Sequence, residues 1–169
     1  IFSLPDGRQR DVRLDVKGRD GLVGIMGASG KEISRQKEIM MTASPGASFT
    51  VSDVKIGIDF HWQRTQEQTF HGDLFLEAVS GSSFNLINNI ALEDYLASVI
   101  SSEMSAAAPL EFLKAQAITA RSWLVSMLAK KNMKGAPAPV QTEKEMVVWQ
   151  DVNDHNGFDV CADDHCQRY

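Results

Sequence analysis

The hydrophobic period of this chain changes once, near Leu92, and that change limits the possible folds more than any other feature. Before it, apolar and polar residues alternate in VRLDV (Val12 to Val16), VKIGIDF (Val54 to Phe60), LFLEA (Leu74 to Ala78) and FNLINNI (Phe84 to Ile90). That is the two-residue period of a half-buried strand. Gly18, Gly21, Gly24, Gly27, Gly30, the Ser44-Pro45-Gly46 turn, His71-Gly72-Asp73 and Gly81-Ser82-Ser83 supply the breaks. After it, Leu92, Leu96, Val99 and Ile100 recur at helical spacing, with Glu93 and Asp94 in the first turn, where carboxylates suit the helix dipole. Ser105 and three alanines then lead to Pro109, which fits the first turn of a second helix reaching about Lys131. Its buried stripe is Leu110, Leu113, Ala117, Ala120, Leu124, Met127 and Leu128. Strands followed by helices predict an α+β fold. It consists of an antiparallel β meander in the N-terminal part, two packed helices, and a C-terminal segment carrying cysteine and histidine.

The expected organisation is one domain over 1–169. It comprises an unassigned β-rich part over 1–50, the meander over 51–90, the helical motif over 91–131, a loop over 132–146, and a strand with the Cys/His segment over 147–169. Lys31 to Met41 reads equally as a short helix or a continued strand. A length of 169 residues suits one packed core. A net charge of -5 removes the electrostatic case for duplex nucleic acid or an anionic membrane. No run approaches the roughly 18 to 20 apolar residues of a membrane span. GIMGASGK (Gly24 to Lys31) superficially suggests a phosphate loop. It lacks the terminal GK[ST] and no helix pattern follows, so its glycines read as turn residues.

Two places carry residues suited to chemistry. Glu103 closes the first helix within VISSEM (Val99 to Met104), where the dipole and apolar neighbours both disfavour a negative charge. A carboxyl in such a place is suited to proton donation. Lys114 and Arg121 lie two turns apart on the second helix and share a face with Ile118 and Val125. On residues alone, the ordinary readings prevail: Glu103 as an exposed helix-end carboxylate and the cations as side chains snorkelling from a core edge. The second place is His155, Cys161, His165 and Cys166, a candidate zinc quartet of imidazole and thiolate donors. A disulfide across a short loop, or two thiols of no special role, are the alternatives that spacing leaves open.

The segment LINNIALEDYLASVISSEMSAAAPLEFLKAQAITARSWLVSMLAKK (Leu86 to Lys131) resembles the central motif of the SpoIID/LytB domain family. In that family a glutamate-aspartate-tyrosine-leucine run leads to serine-glutamate-methionine and then to a lysine-alanine-glutamine-alanine helix ending in alanine-arginine. FDVCADDHCQRY (Phe158 to Tyr169) is similar to its cysteine-histidine-cysteine-glutamine segment, and Thr69 to Ile90 fits the preceding hairpin. The resemblance does not extend to residues 1 to 50. It implies a bacterial cell-wall protein, either a lytic transglycosylase acting on peptidoglycan stripped of stem peptides or an enhancer of a cell-wall amidase. Carried over by position, it implies Glu103 as the catalytic acid and Lys114 and Arg121 as substrate contacts. It also implies His155, Cys161, His165 and Cys166 as a structural zinc site. The substrate implies an exported protein of the cell envelope, where idle thiols would be at risk of oxidation. Family members continue past the CQRY point, so truncation at the C-terminus is expected.

Overall fold

The computed structural model describes residues 2–3, 9–10, 14–57, 60–131, 140–142, 144–147, 155, 157–162 and 166–169. Two compact units divide the chain, Ile1–Asp94 and Tyr95–Tyr169. The mixed α+β class expected from the change of period is the one observed, with strands first and two helices after them.

Among the described residues, ten strands occupy the first unit: β1 (Phe2–Ser3), β2 (Gln9–Arg10), β3 (Asp15–Arg19), β4 (Leu22–Met26), β5 (Glu32–Gln36), β6 (Glu38–Ala43), β7 (Ser48–Ile56), β8 (Arg64–His71), β9 (Asp73–Ser80) and β10 (Ser83–Asn89). All described pairings are antiparallel, in a sheet ordered β10-β9-β6-β1-β2, a sheet ordered β3-β4-β5, and a β7-β8 ribbon. The pairing is therefore a set of hairpins shared among sheets: β8 pairs with β7, whereas β9 lies between β6 and β10. Lys31 to Met41 resolves into β5 and β6. Val12 and Arg13 of the first expected strand lie outside the described residues, as do residues 58 and 59 of the second.

Local chemistry accounts for the turns. Asp20 and Gly21 join β3 to β4 with φ of 54° and 70°, the left-handed pair that a tight type I′ hairpin requires. At Gly72, between β8 and β9, φ is 89° and a Cβ would lie 2.5 Å from the Asn89 carbonyl oxygen, so only glycine fits there. Alternation then builds the core. Val23 and Ile25 of β4, Ile39 and Met41 of β6, Phe49 of β7, and Leu74, Leu76 and Ala78 of β9 form one buried cluster. Burying each large aliphatic side chain contributes about 1.5–3 kcal/mol.

The second unit is built on α1 (Leu92–Glu103) and α2 (Leu110–Lys131), with a small hairpin of β11 (Val140–Gln141) and β12 (Met146–Val147). That hairpin interrupts the loop expected over 132–146. Of the strand expected to begin at Val147, residues 148–152 lie outside the described residues. Tyr95, Leu96 and Val99 are the buried residues of α1. On α2, Ala120 and Leu124 are buried, and Leu113, Ala117, Met127 and Leu128 are half-buried. Leu110 departs from the expected stripe and is exposed, because it sits in the first turn, before the helix reaches its packed stretch. The Pro109 carbonyl accepts the Leu113 N–H at 3.1 Å and so opens α2.

Candidate functional site

Glu103 is the last residue of α1. Its surroundings differ from the desolvated ones expected: the residue is exposed. Val99, one turn earlier, is fully buried, and the helix carries Glu103 past that packed turn into solvent. What distinguishes the carboxylate is its partners. Gln116 of α2 donates its side-chain amide to Oε2 at 2.9 Å, and the backbone N–H of Arg168 donates to Oε1 at 3.1 Å. Each oxygen thus accepts a hydrogen bond from a different part of the unit, and the side chain is fixed although water reaches it.

Gln116, rather than Lys114 or Arg121, is the α2 residue that meets Glu103. At 3.6 residues per turn, Lys114 and Arg121 share a face that points roughly 140–160° away from Gln116 around the axis. Both are exposed, and Lys114 pairs with Glu111 at 2.7 Å. Sequence reasoning missed Gln116. The signal available was a polar residue on the same stripe as Leu113, Ala117 and Ala120, where an amide normally needs a partner.

The second cluster lies in the same unit. His155, Cys161 and Cys166 offer one imidazole nitrogen and two sulfurs, all within 4.8 Å of one another. His155 Nε2 and Cys166 Sγ are 3.1 Å apart, and the imidazole packs on Phe158 with ring centroids 4.9 Å apart. His165, the fourth expected ligand, lies outside the described residues. No disulfide joins the two cysteines. Burial pushes the Cys166 thiol up to about 11, while Cys161 beside it acts both ways, its backbone hydrogen bond downward and its side chain upward.

The donor set suits a thiophilic divalent ion such as zinc. A buried polar group in the same unit fits as well: the Tyr95 hydroxyl has no hydrogen-bond partner among the described residues, and thiolates of a loaded site are good acceptors for such a donor. Burial raises the Tyr95 phenol above its ordinary value of 10.0, reinforced by Cys166, Glu103 and Cys161. A raised native value means that the fold keeps a proton which the unfolded chain gives up. Tyr95 therefore contributes its full stability below pH 10 and loses it as pH climbs towards the shifted value. In an alkaline titration, tyrosinate absorbance from Tyr95 is expected to appear only with loss of the helical signal. Reversible ionisation of Tyr95 near pH 10 with the helices intact would contradict this.

The helical unit of this α+β protein thus carries an exposed helix-end carboxylate held by two donors and a half-buried imidazole–sulfur group that could hold a metal ion. The chain belongs to the SpoIID family, described as stage II sporulation protein, whose model matches residues 80–169. That match covers β10, both helices and the Cys/His segment. No curated protein and no solved structure matches the chain significantly. Family membership brings a cell-wall-related role and an association with cell-wall glycan. Among the described residues, no helix is long and apolar enough to cross a membrane.

Proposed function

We propose that this protein is a lytic transglycosylase that cleaves peptidoglycan strands lacking stem peptides, with Glu103 as both acid and base. The observation that carries the reading is a solvent-accessible carboxylate held on both oxygens by donors from separate segments, Gln116 and Arg168. An ordinary surface glutamate is free to rotate. A carboxylate held in one orientation beside open solvent is what proton transfer to a bound polymer needs.

One carboxyl suffices for this chemistry. Glycoside hydrolysis ordinarily takes two carboxyl groups about 5–9.5 Å apart, whereas Glu93 and Asp94, the other acids of α1, sit roughly 14 Å back along the helix. In the lytic route, Glu103 gives its proton to the glycosidic oxygen as the bond from the muramic anomeric carbon breaks. The resulting carboxylate takes the proton from the muramic C6 hydroxyl, whose oxygen forms the new bond to that carbon. The products are a 1,6-anhydro end and a free hydroxyl on the leaving strand, with no water consumed and the acid regenerated.

In this reading Lys114 and Arg121 bind lactyl carboxylates of the strand away from the scissile bond, since their face of α2 is turned from Glu103. Each exposed contact is worth about 1 kcal/mol. Replacing both by alanine is therefore expected to raise KM by roughly 5–30-fold while kcat changes little. A large fall in kcat at constant KM would instead put them beside the reacting atoms. His155, Cys161 and Cys166, with His165, would hold a structural zinc whose chemistry is to tie the Cys/His segment together.

Exposure of Glu103 favours one alternative, a non-catalytic module that binds glycan and stimulates a cell-wall amidase. Mass spectrometry of digested denuded strands separates the two. Anhydro-muramic ends support the enzyme, whereas their absence, together with stimulation of an added amidase, supports the module.

A further inference from the structure

We infer that the four residues Cys166 to Tyr169 form a positioning strap through which occupancy of the Cys/His cluster is transmitted to Glu103. Every residue of the strap has its own anchor. Cys166 sits against His155 in the cluster. Gln167 is buried and donates to the backbone carbonyl of Ala120 on α2 at 3.3 Å. Arg168 gives its backbone N–H to Glu103. Tyr169 stacks on Tyr95 of α1, with ring centroids 4.9 Å apart.

Consecutive Cα atoms are about 3.8 Å apart, so anchors at three of four successive residues leave the Arg168 amide almost no freedom of direction. The carboxylate it meets is otherwise exposed, so the amide and Gln116 settle where Glu103 points. Gln116 is carried by α2 itself. The amide is carried by a strap whose near end is a cluster of sulfurs and imidazole, and thiols are weak hydrogen-bond partners. With metal bound to His155, Cys161 and Cys166, that end becomes a fixed point and the strap holds its register. Without it, Cys166 keeps its weaker contacts to His155 and Cys161, and the amide holds Oε1 less firmly. Arg168 is thus a positioning residue acting through its backbone.

The kinetic consequence rests on Glu103 being the acid of the proposed reaction; the structural coupling does not. The test therefore reads both, on the full chain labelled with 15N-arginine, stripped by chelator and then reloaded with zinc alone. In the reloaded protein, Glu103→Ala is expected to move the Arg168 amide proton upfield as it loses its acceptor. In the stripped protein the same substitution should move it far less. Cys166→Ser is expected to reproduce the stripped behaviour, and where that variant fails to fold, Tyr169→Leu loosens the other end of the strap. The Arg35 amide in the first unit reports whether the fold survives.

Equal displacement with and without zinc, no displacement in either, or no binding of zinc to the cluster would each overturn the inference. In the kinetic arm, stripping should lower kcat by about 100-fold, the scale of an ångström-sized misplacement, with KM for denuded glycan unchanged. An amide coupled to zinc in a protein that produces no anhydro ends would sink the enzymatic reading and leave the strap standing.

Discussion

Glu103→Ala is expected to lower the release of 1,6-anhydro-muramic ends from denuded strands by about 1,000-fold, within the range for removing a positioned general acid. The loss should lie in kcat, because the carboxyl acts as the glycosidic bond breaks and contributes little to holding the strand beforehand. Stability should move by less than about 0.5 kcal/mol, since the side chain is exposed and the Arg168 amide it releases is reached by water. Glu103→Gln sharpens the comparison. It keeps the size of the side chain and one acceptor oxygen, yet it has no acidic proton to give, so its activity should be as low as that of the alanine variant. Retention of activity by either variant would remove Glu103 from the chemistry. Loss of activity accompanied by a lowered melting temperature would make its role structural.

How far the site was legible in the sequence depends on which kind of contact makes it. Glu103 could be found because its position at the end of an amphipathic helix and its resemblance motif are both local. Lys114 and Arg121 could be placed on one face from spacing alone. Neither route reaches the partners of Glu103. Gln116 is 13 residues away across the turn between the helices, and the Arg168 contact is 65 residues away and uses a backbone N–H. Every residue but proline carries such a donor, so no residue type announces it. The expectation of a greasy carboxyl failed for a related reason: sequence neighbours Val99 and Ile100 belong to earlier positions on the helix, and what surrounds the last residue depends on where the helix stops packing. In the first unit, β9 was legible because one of its faces is buried and alternation follows, whereas β10 has no fully buried residue and Leu86 on it is exposed. β8 (RTQEQTFH) is mostly polar on both faces, so its pairing with β7 had no such signature. The split of Lys31 to Met41 into two strands falls at Lys37, whose carbonyl accepts the Ala78 N–H at 2.8 Å. That long-range bond decides between helix and strand where local pattern could not.

Leu76→Ala is expected to be the most damaging simple truncation in the first unit, costing about 3 kcal/mol of stability. Leu76 is fully inaccessible to water. It is also enclosed on both sides in the sheet, opposite Ile39 of β6 and Leu86 of β10, and lies in the cluster with Val23, Ile25 and Met41. Removing three carbons there forfeits their transfer from water and leaves a cavity that strands hydrogen-bonded on both edges cannot collapse to fill. For a unit of this size the loss corresponds to roughly 15 °C in melting temperature. Hydrogen exchange along Leu74 to Ala78 should accelerate by about two orders of magnitude, as 1.4 kcal/mol is tenfold in an equilibrium constant. Val79 supplies the control on the same strand: it is 58% exposed, and its truncation should change stability by no more than about 0.5 kcal/mol. Equal effects at the two positions would mean that β9 does not present alternating faces to one core, and the sheet order β10-β9-β6 would then be wrong for the protein in solution.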